Sequence, residues 1–108
     1  MAADAGAFEA ALQRMSEPLD ADRAARADPA LHTLWRYMDN IIKHPTNPQK
    51  RLVRTTNAKF VEVCSVEGGR DAFTALGFVP IENDSEQRLH IPDDVDPNQL
   101  QPLLLKVL

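Results

Sequence analysis

Six apolar residues, Leu31, Leu34, Trp35, Met38, Ile41 and Ile42, recur three or four positions apart, and no other feature constrains the fold as strongly. At the α-helical repeat they trace one stripe, which predicts an amphipathic helix from Pro29 to Lys43. Asp28-Pro29 supplies a start, with a side-chain acceptor at the N-cap and a fixed φ at the first helical position, and His44-Pro45 supplies a stop. Such a stripe must be covered by the rest of the chain. With 108 residues there is enough chain for one small domain with a single core.

The covering elements follow in order. Phe8, Ala11, Leu12 and Met15 form a shorter stripe in an alanine-rich helix from Ala2 to Met15, ended by Glu17-Pro18. Residues 1–27 are expected to form an N-terminal helical arm or linker, with Asp22 to Ala27 either a further helical turn or linker. Asn47-Pro48 repeats the cap-then-proline signal and opens a helical turn or a short strand carrying Leu52 and Val53. Thr55-Thr56-Asn57 offers caps for a helix that turns Phe60, Val63 and Cys64 inward, and Gly68-Gly69 breaks it. The helix restarts from Arg70 to Leu76 with Ala72, Phe73 and Leu76 buried, and Gly77-Phe78 closes it as a C′ glycine followed by an apolar residue. Val79 to Ile81 and Arg88 to Ile91, around the turn-prone Asn83-Asp84-Ser85, predict a β-hairpin that Pro92 ends. Asp96-Pro97 starts a last amphipathic helix carrying Leu100, Leu103, Leu104 and Val107. The sequence stops at Leu108 without a terminating cap, as expected of a domain cut from a longer protein.

Several classes of function are disfavoured. No apolar run approaches the roughly 18 to 20 residues of a membrane span, and "MAADAGAFEA" lacks the basic start and greasy stretch of a signal peptide. A single cysteine, Cys64, permits no intrachain disulfide and suits a reducing compartment, so cytosol or nucleus is expected. Gly68-Gly69 matches neither nucleotide-binding loop, and there is no nucleophile elbow. Cys64 with His32, His44 or His90 would need an exposed thiol beside a base, and core packing is the simpler reading of that cysteine. Three histidines and one cysteine without tight spacing make a poor zinc set. No catalytic residue, metal or cofactor is expected.

The stretch "KHPTNPQKRLVRTTNAKF", residues 43–60, holds five of the 12 Lys/Arg (Lys43, Lys50, Arg51, Arg54, Lys59) and none of the 16 Asp/Glu in a chain of net charge −4. A long phosphate backbone would feel the negative surroundings, whereas a short acidic peptide would feel mainly this patch. Charge alone also describes an ordinary solvated surface; the neighbouring residue types favour a ligand. Lys50, Arg51 and Arg54 can donate to carboxylates, and Asn40 and Asn57 can donate to and accept from a peptide backbone. Tyr37 and Val53 can edge an apolar hollow, and Thr33, Tyr37 and Asn40 share a stripe beside the main one. The alternative is a nucleic-acid-binding module on the same 43–59 patch, which requires stacking aromatics; Trp35, Tyr37 and the four Phe lie mostly on apolar stripes.

"YMDNIIKHP" from Tyr37, "RLVRTTNAKF" from Arg51, "GGRDAFTALGF" from Gly68 and "RLHIP" from Arg88 together resemble the PUB domain, a family named for peptide N-glycanase and the UBA- and UBX-containing proteins that carry it. The resemblance covers about residues 28–108 and rests on the ordered series Asn40, Pro45, Arg51, Arg54, Asn57, Phe60, Gly77-Phe78 and Pro92. It implies a mixed α/β (α+β) fold, a compact helical bundle against a small, about three-stranded antiparallel sheet. It also implies a non-catalytic adaptor that docks the acidic C-terminal tail of the AAA ATPase valosin-containing protein and recruits it to ubiquitin-dependent and ER-associated degradation; a monomer is the default expectation. In the linear-ubiquitin ligase version the pocket also takes an internal acidic, tyrosine-containing motif of a deubiquitinase. By the same resemblance the pocket asparagine falls on Asn57, the helix-face tyrosine and asparagine on Tyr37 and Asn40, the basic residue on Arg54 and the aliphatic one on Val53. Lys50 stands where many members have an aromatic residue, exchanging a stacking face worth about 1 kcal/mol for a positive charge. The expected peptide-binding set is therefore Tyr37, Asn40, Lys50, Arg51, Val53, Arg54, Asn57 and Phe60. Any enzymatic activity would belong to a longer parent chain.

Overall fold

In the computed structural model, which describes residues 3–17, 21–83, 86–92 and 95–107, the central stripe lies on one helix, longer than expected. This helix, α2, runs unbroken from Ala21 to Lys43 with Pro29 inside it. Proline removes the amide that would bond the carbonyl of Ala25, but both residues are exposed, so water can replace the missing donor. Asp28-Pro29 is therefore not a helix start, and the boundary expected at residue 28 falls within α2. The stripe also begins earlier, with Ala27 and Ala30 buried beside Leu34, Met38 and Ile41, while Trp35 and Ile42 lie half-buried at its margins.

The helix α1 (Ala5–Ser16) is capped by Asp4, whose carboxylate accepts from the Ala7 N–H at 3.1 Å. Its face of Phe8, Ala11, Leu12 and Met15 is buried in the same core as α2. Glycine at position 68 permits close approach to α1: a Cβ there would lie 2.6 Å from the Ala11 carbonyl oxygen. The Asp4 N–H also donates to the Ala75 carbonyl at 2.7 Å, so the segment expected as an arm is packed in place.

After α2, Asn47 caps a 3₁₀ turn, Pro48–Arg51, which leads directly into β1 (Leu52–Arg54). The alternatives of helical turn and strand are thus both realised, one after the other. Asn57 caps α3 (Ala58–Cys64), and α4 (Gly69–Leu76) ends at Gly77, whose φ of 109° is the left-handed conformation expected of a C′ glycine. The hairpin forms from β2 (Val79–Asn83) and β3 (Glu86–His90), and α5 (Pro97–Val107) packs against α2 with Leu100, Leu103 and Leu104 buried. The sheet is antiparallel in the order β1-β3-β2, with Val53 opposite Leu89 and Val79 opposite His90. Phe73 links the layers, its ring edge-on to Tyr37 and Phe78, each at 5.4 Å, and tilted against Phe60 at 5.0 Å. Among the described residues, five α-helices pack against a three-stranded antiparallel sheet, the α+β architecture expected. Pro18, the turn residues Asp84-Ser85 and the chain end at Leu108, on which sequence expectations also fell, lie outside the described residues. No helix among the described residues is long and apolar enough to cross a membrane.

Candidate functional site

Tyr37 and Asn40 project from adjacent turns of α2, on the side that faces the segment running from the 3₁₀ turn into α3. Two hollows open along this seam and share Tyr37 and Asn57. The first, about 220 Å³, is lined by Thr33, Arg36, Tyr37, Asn40, Asn57 and Lys59. The second, about 430 Å³, is lined by Tyr37, Gln49, Leu52, Val53, Arg54 and Asn57. Together they form one groove with Tyr37 and Asn57 at its middle.

Local structure fixes each of these groups. The Asn57 Oδ1 accepts from the Lys59 N–H at 2.8 Å as the cap of α3, which leaves its Nδ2 as the donor on the groove side. Tyr37 is held by its edge-on contact with Phe73 and is half-buried. Burial pushes its phenol above the ordinary range, and the neighbouring Cys64 sulfur acts in the same direction, so at neutral pH the hydroxyl is a protonated donor. Thr33, buried beneath the first hollow, donates to Glu62 Oε1 at 2.6 Å, which engages that carboxylate at the groove margin. Arg54 and Lys59 are exposed, and Arg36 adds a third exposed cation from α2. The groove therefore has an apolar floor at Tyr37 and Val53, amides at Asn40 and Asn57, and a cationic lip.

Five of the eight expected site residues meet here: Tyr37, Asn40, Val53, Arg54 and Asn57. Three are placed otherwise. Arg51 is only 4% exposed, and its guanidinium donates to the carbonyls of Pro92 at 2.9 Å, Val95 at 3.4 Å and Pro45 at 3.3 Å. It fastens the loops before β1 and after β3 and faces away from the groove. Phe60, 3% exposed, is buried against Phe73 beneath the groove, with the Arg70 guanidinium 6.0 Å from its ring centroid. Lys50, partly exposed on the 3₁₀ turn, lines neither hollow. Arg36, Lys59, Thr33, Gln49 and Leu52 line the groove although they are not in the expected peptide-binding set. Arg36 carried a legible signal, because it precedes Asn40 by one helical turn and so shares its face. The charge of Lys43 is partly offset by an ion pair with Asp39 at 3.0 Å.

The thiol of Cys64 is also pushed up by burial, with Arg70 opposing, so it is a poor nucleophile at neutral pH. Among the described residues no three His, Cys, Asp or Glu side chains are grouped to hold a metal. The arrangement suits recognition of an extended acidic chain: a ring or aliphatic side chain on the floor, backbone amides against the asparagines, carboxylates at the lip.

No curated protein matches the sequence significantly. The family model described as the PUB domain matches residues 24–105, from within α2 to within α5, and by this match over most of its length the chain belongs to the PUB family of protein-interaction domains.

Proposed function

We propose that the groove receives the acidic C-terminal tail of the AAA ATPase valosin-containing protein, or a similar acidic, tyrosine-containing motif, and that the domain thereby recruits this partner to ubiquitin-dependent and ER-associated degradation. The observation that carries the reading is the convergence of Arg36, Tyr37 and Asn40 from α2 with Val53, Arg54 and Asn57 from the following segment around one groove. Charge-assisted donors at the lip would hold carboxylates, and Tyr37 with Val53 would seat the apolar or aromatic residue near the tail's end. The aromatic inventory favours a peptide over nucleic acid. All four Phe are buried and Trp35 and Tyr37 are half-buried, so no aromatic ring is fully exposed as a stacking platform for successive bases.

Calorimetric titration of the domain with the tail peptide, as free acid and as C-terminal amide, tests the proposal. The free acid binds and the amide binds more weakly if the lip reads the terminal carboxylate. Absence of heat from either form at peptide concentrations on the order of several hundred micromolar refutes the partner assignment.

A further inference from the structure

The two outer edges of the sheet are chemically different. In the β1–β3 ladder the Ile91 N–H donates to the Arg51 carbonyl at 2.9 Å, and the register places Val53 opposite Leu89. Because antiparallel ladders alternate, Arg51 and Val53 direct their backbone polar groups at β3, while Leu52 and Arg54 direct theirs outward. Two of those four outward groups are already used. The Leu52 N–H donates to the Gln49 carbonyl, and the Arg54 carbonyl accepts from the Asn57 N–H at 3.0 Å. The Leu52 carbonyl and the Arg54 N–H remain, without a hydrogen-bond partner among the described residues, on the edge that borders the second hollow. On the opposite edge, β2 turns Pro80 outward, and proline has no N–H to offer an added strand. One edge is blunted; the other is open beside the groove.

We infer that the acidic peptide adds to β1 as a short parallel strand, one of its residues donating its N–H to the Leu52 carbonyl and accepting from the Arg54 N–H; this rests on the peptide-binding reading above. The direction follows from which groups are spent. In a parallel ladder a single residue bonds both neighbours of the residue opposite, here Leu52 and Arg54 on either side of Val53. An antiparallel strand would aim a carbonyl at the Leu52 N–H and an N–H at the Arg54 carbonyl, both already occupied, and would leave two polar groups unpaired. A parallel course carries the C-terminal end of the peptide past Arg54 toward Asn57, Lys59 and Arg36, where its carboxylate meets cations. The paired residue turns its side chain to the same face as Val53, toward Tyr37, and its neighbours turn theirs to the face of Leu52 and Arg54. The ligand is thus an apolar residue between polar or acidic neighbours, with the chain terminus downstream.

The test uses the intact domain and the tail peptide of the ATPase, N-methylated at one backbone nitrogen at a time. One position is expected to lose at least about tenfold in affinity, with its two neighbours within about twofold because their N–H groups face away from β1. On the domain, Arg54→Ala and Arg54→Pro both lose the guanidinium, but only proline loses the N–H, so Arg54→Pro binds at least about tenfold more weakly than Arg54→Ala. The Arg54 amide also exchanges with solvent more slowly in the complex, a readout that holds if Arg54→Pro fails to fold. A spin label at the peptide's N-terminus broadens Gln49 more than Lys59; the reverse order overturns the parallel direction. If every N-methylated peptide binds like the unmodified one, strand addition is wrong while the groove's role stands. If the unmodified peptide does not bind, both fall.

Discussion

Arg51 separates a structural role from a binding role most sharply. It belongs to the basic segment that forms the groove, yet its side chain is buried and donates to three carbonyls from residues 45, 92 and 95. Arg51→Ala removes these bonds and leaves the carbonyls of Pro92 and Val95, partly and fully buried, without this donor. A bond from a charged donor contributes about 1.5–3 kcal/mol; with one at 2.9 Å near 2 and two longer ones at about 0.5 each, the loss is about 3 kcal/mol. In a domain of this size each kcal/mol shifts Tm by about 4 °C, so a fall of about 12 °C is expected. Thermal unfolding followed by circular dichroism measures it, and calorimetry at a temperature where the variant is folded measures tail binding, expected within about threefold of wild type. A Tm within about 3 °C of wild type together with a tenfold loss of affinity would refute the reasoning and return Arg51 to the ligand.

Asn57→Asp keeps an acceptor for the α3 cap but replaces the Nδ2 donor with a carboxylate, so Tm stays near wild type while acidic-peptide affinity falls at least about tenfold; Asn57→Ala loses the cap as well, about 1 kcal/mol. Equal binding by Asn57→Asp and wild type, read by calorimetry, removes the amide from the site. Gly69→Ala places a Cβ 1.9 Å from the Val63 carbonyl oxygen and should cost at least about 2 kcal/mol by denaturant titration, whereas Gly6→Ala in α1, whose Cβ meets only Asp4 Oδ1 at 3.6 Å, should gain up to about 1 kcal/mol. The phenol of Tyr37 titrates above its ordinary 10.0, so the stability it contributes is fully present below that pH and is lost as pH rises through the raised value; Tyr37→Phe should flatten the alkaline fall in Tm as pH rises above 10.0. If the proposed floor at Tyr37 and Val53 takes a tyrosine ring of the acidic peptide, phosphorylating that tyrosine puts a dianion there, and calorimetry with the phosphopeptide should show binding abolished.

Much of the fold was legible because its signals act over three or four residues. The spacing from Leu31 to Ile42 specified the central helix, Gly77-Phe78 the left-handed cap of α4, and the alternation around Leu89 the hairpin. The grouping of Tyr37, Asn40, Val53, Arg54 and Asn57 was legible too, because Tyr37 and Asn40 share a helix face that a short basic segment immediately follows. The resemblance assigned roles to these residues that spacing alone does not.

The remainder depended on partners far away in sequence. Pro29 ends helices by its local chemistry, and α2 accommodates it because the ring and the Ala25 carbonyl both face solvent, a matter of how the helix is rotated against the core. The alanine-rich α1 joins the core because Gly68, more than fifty positions later, leaves room against Ala11. Arg51 and Arg54, three residues apart in one basic run, have opposite fates: one is enclosed by carbonyls that the loop before β1 and the chain after β3 bring to it, and the other stands at the lip of the groove. Periodicity and capping are properties of a few consecutive residues and can be read along the chain, whereas the burial of a charge depends on which distant groups arrive to solvate it, and only the folded arrangement supplies those.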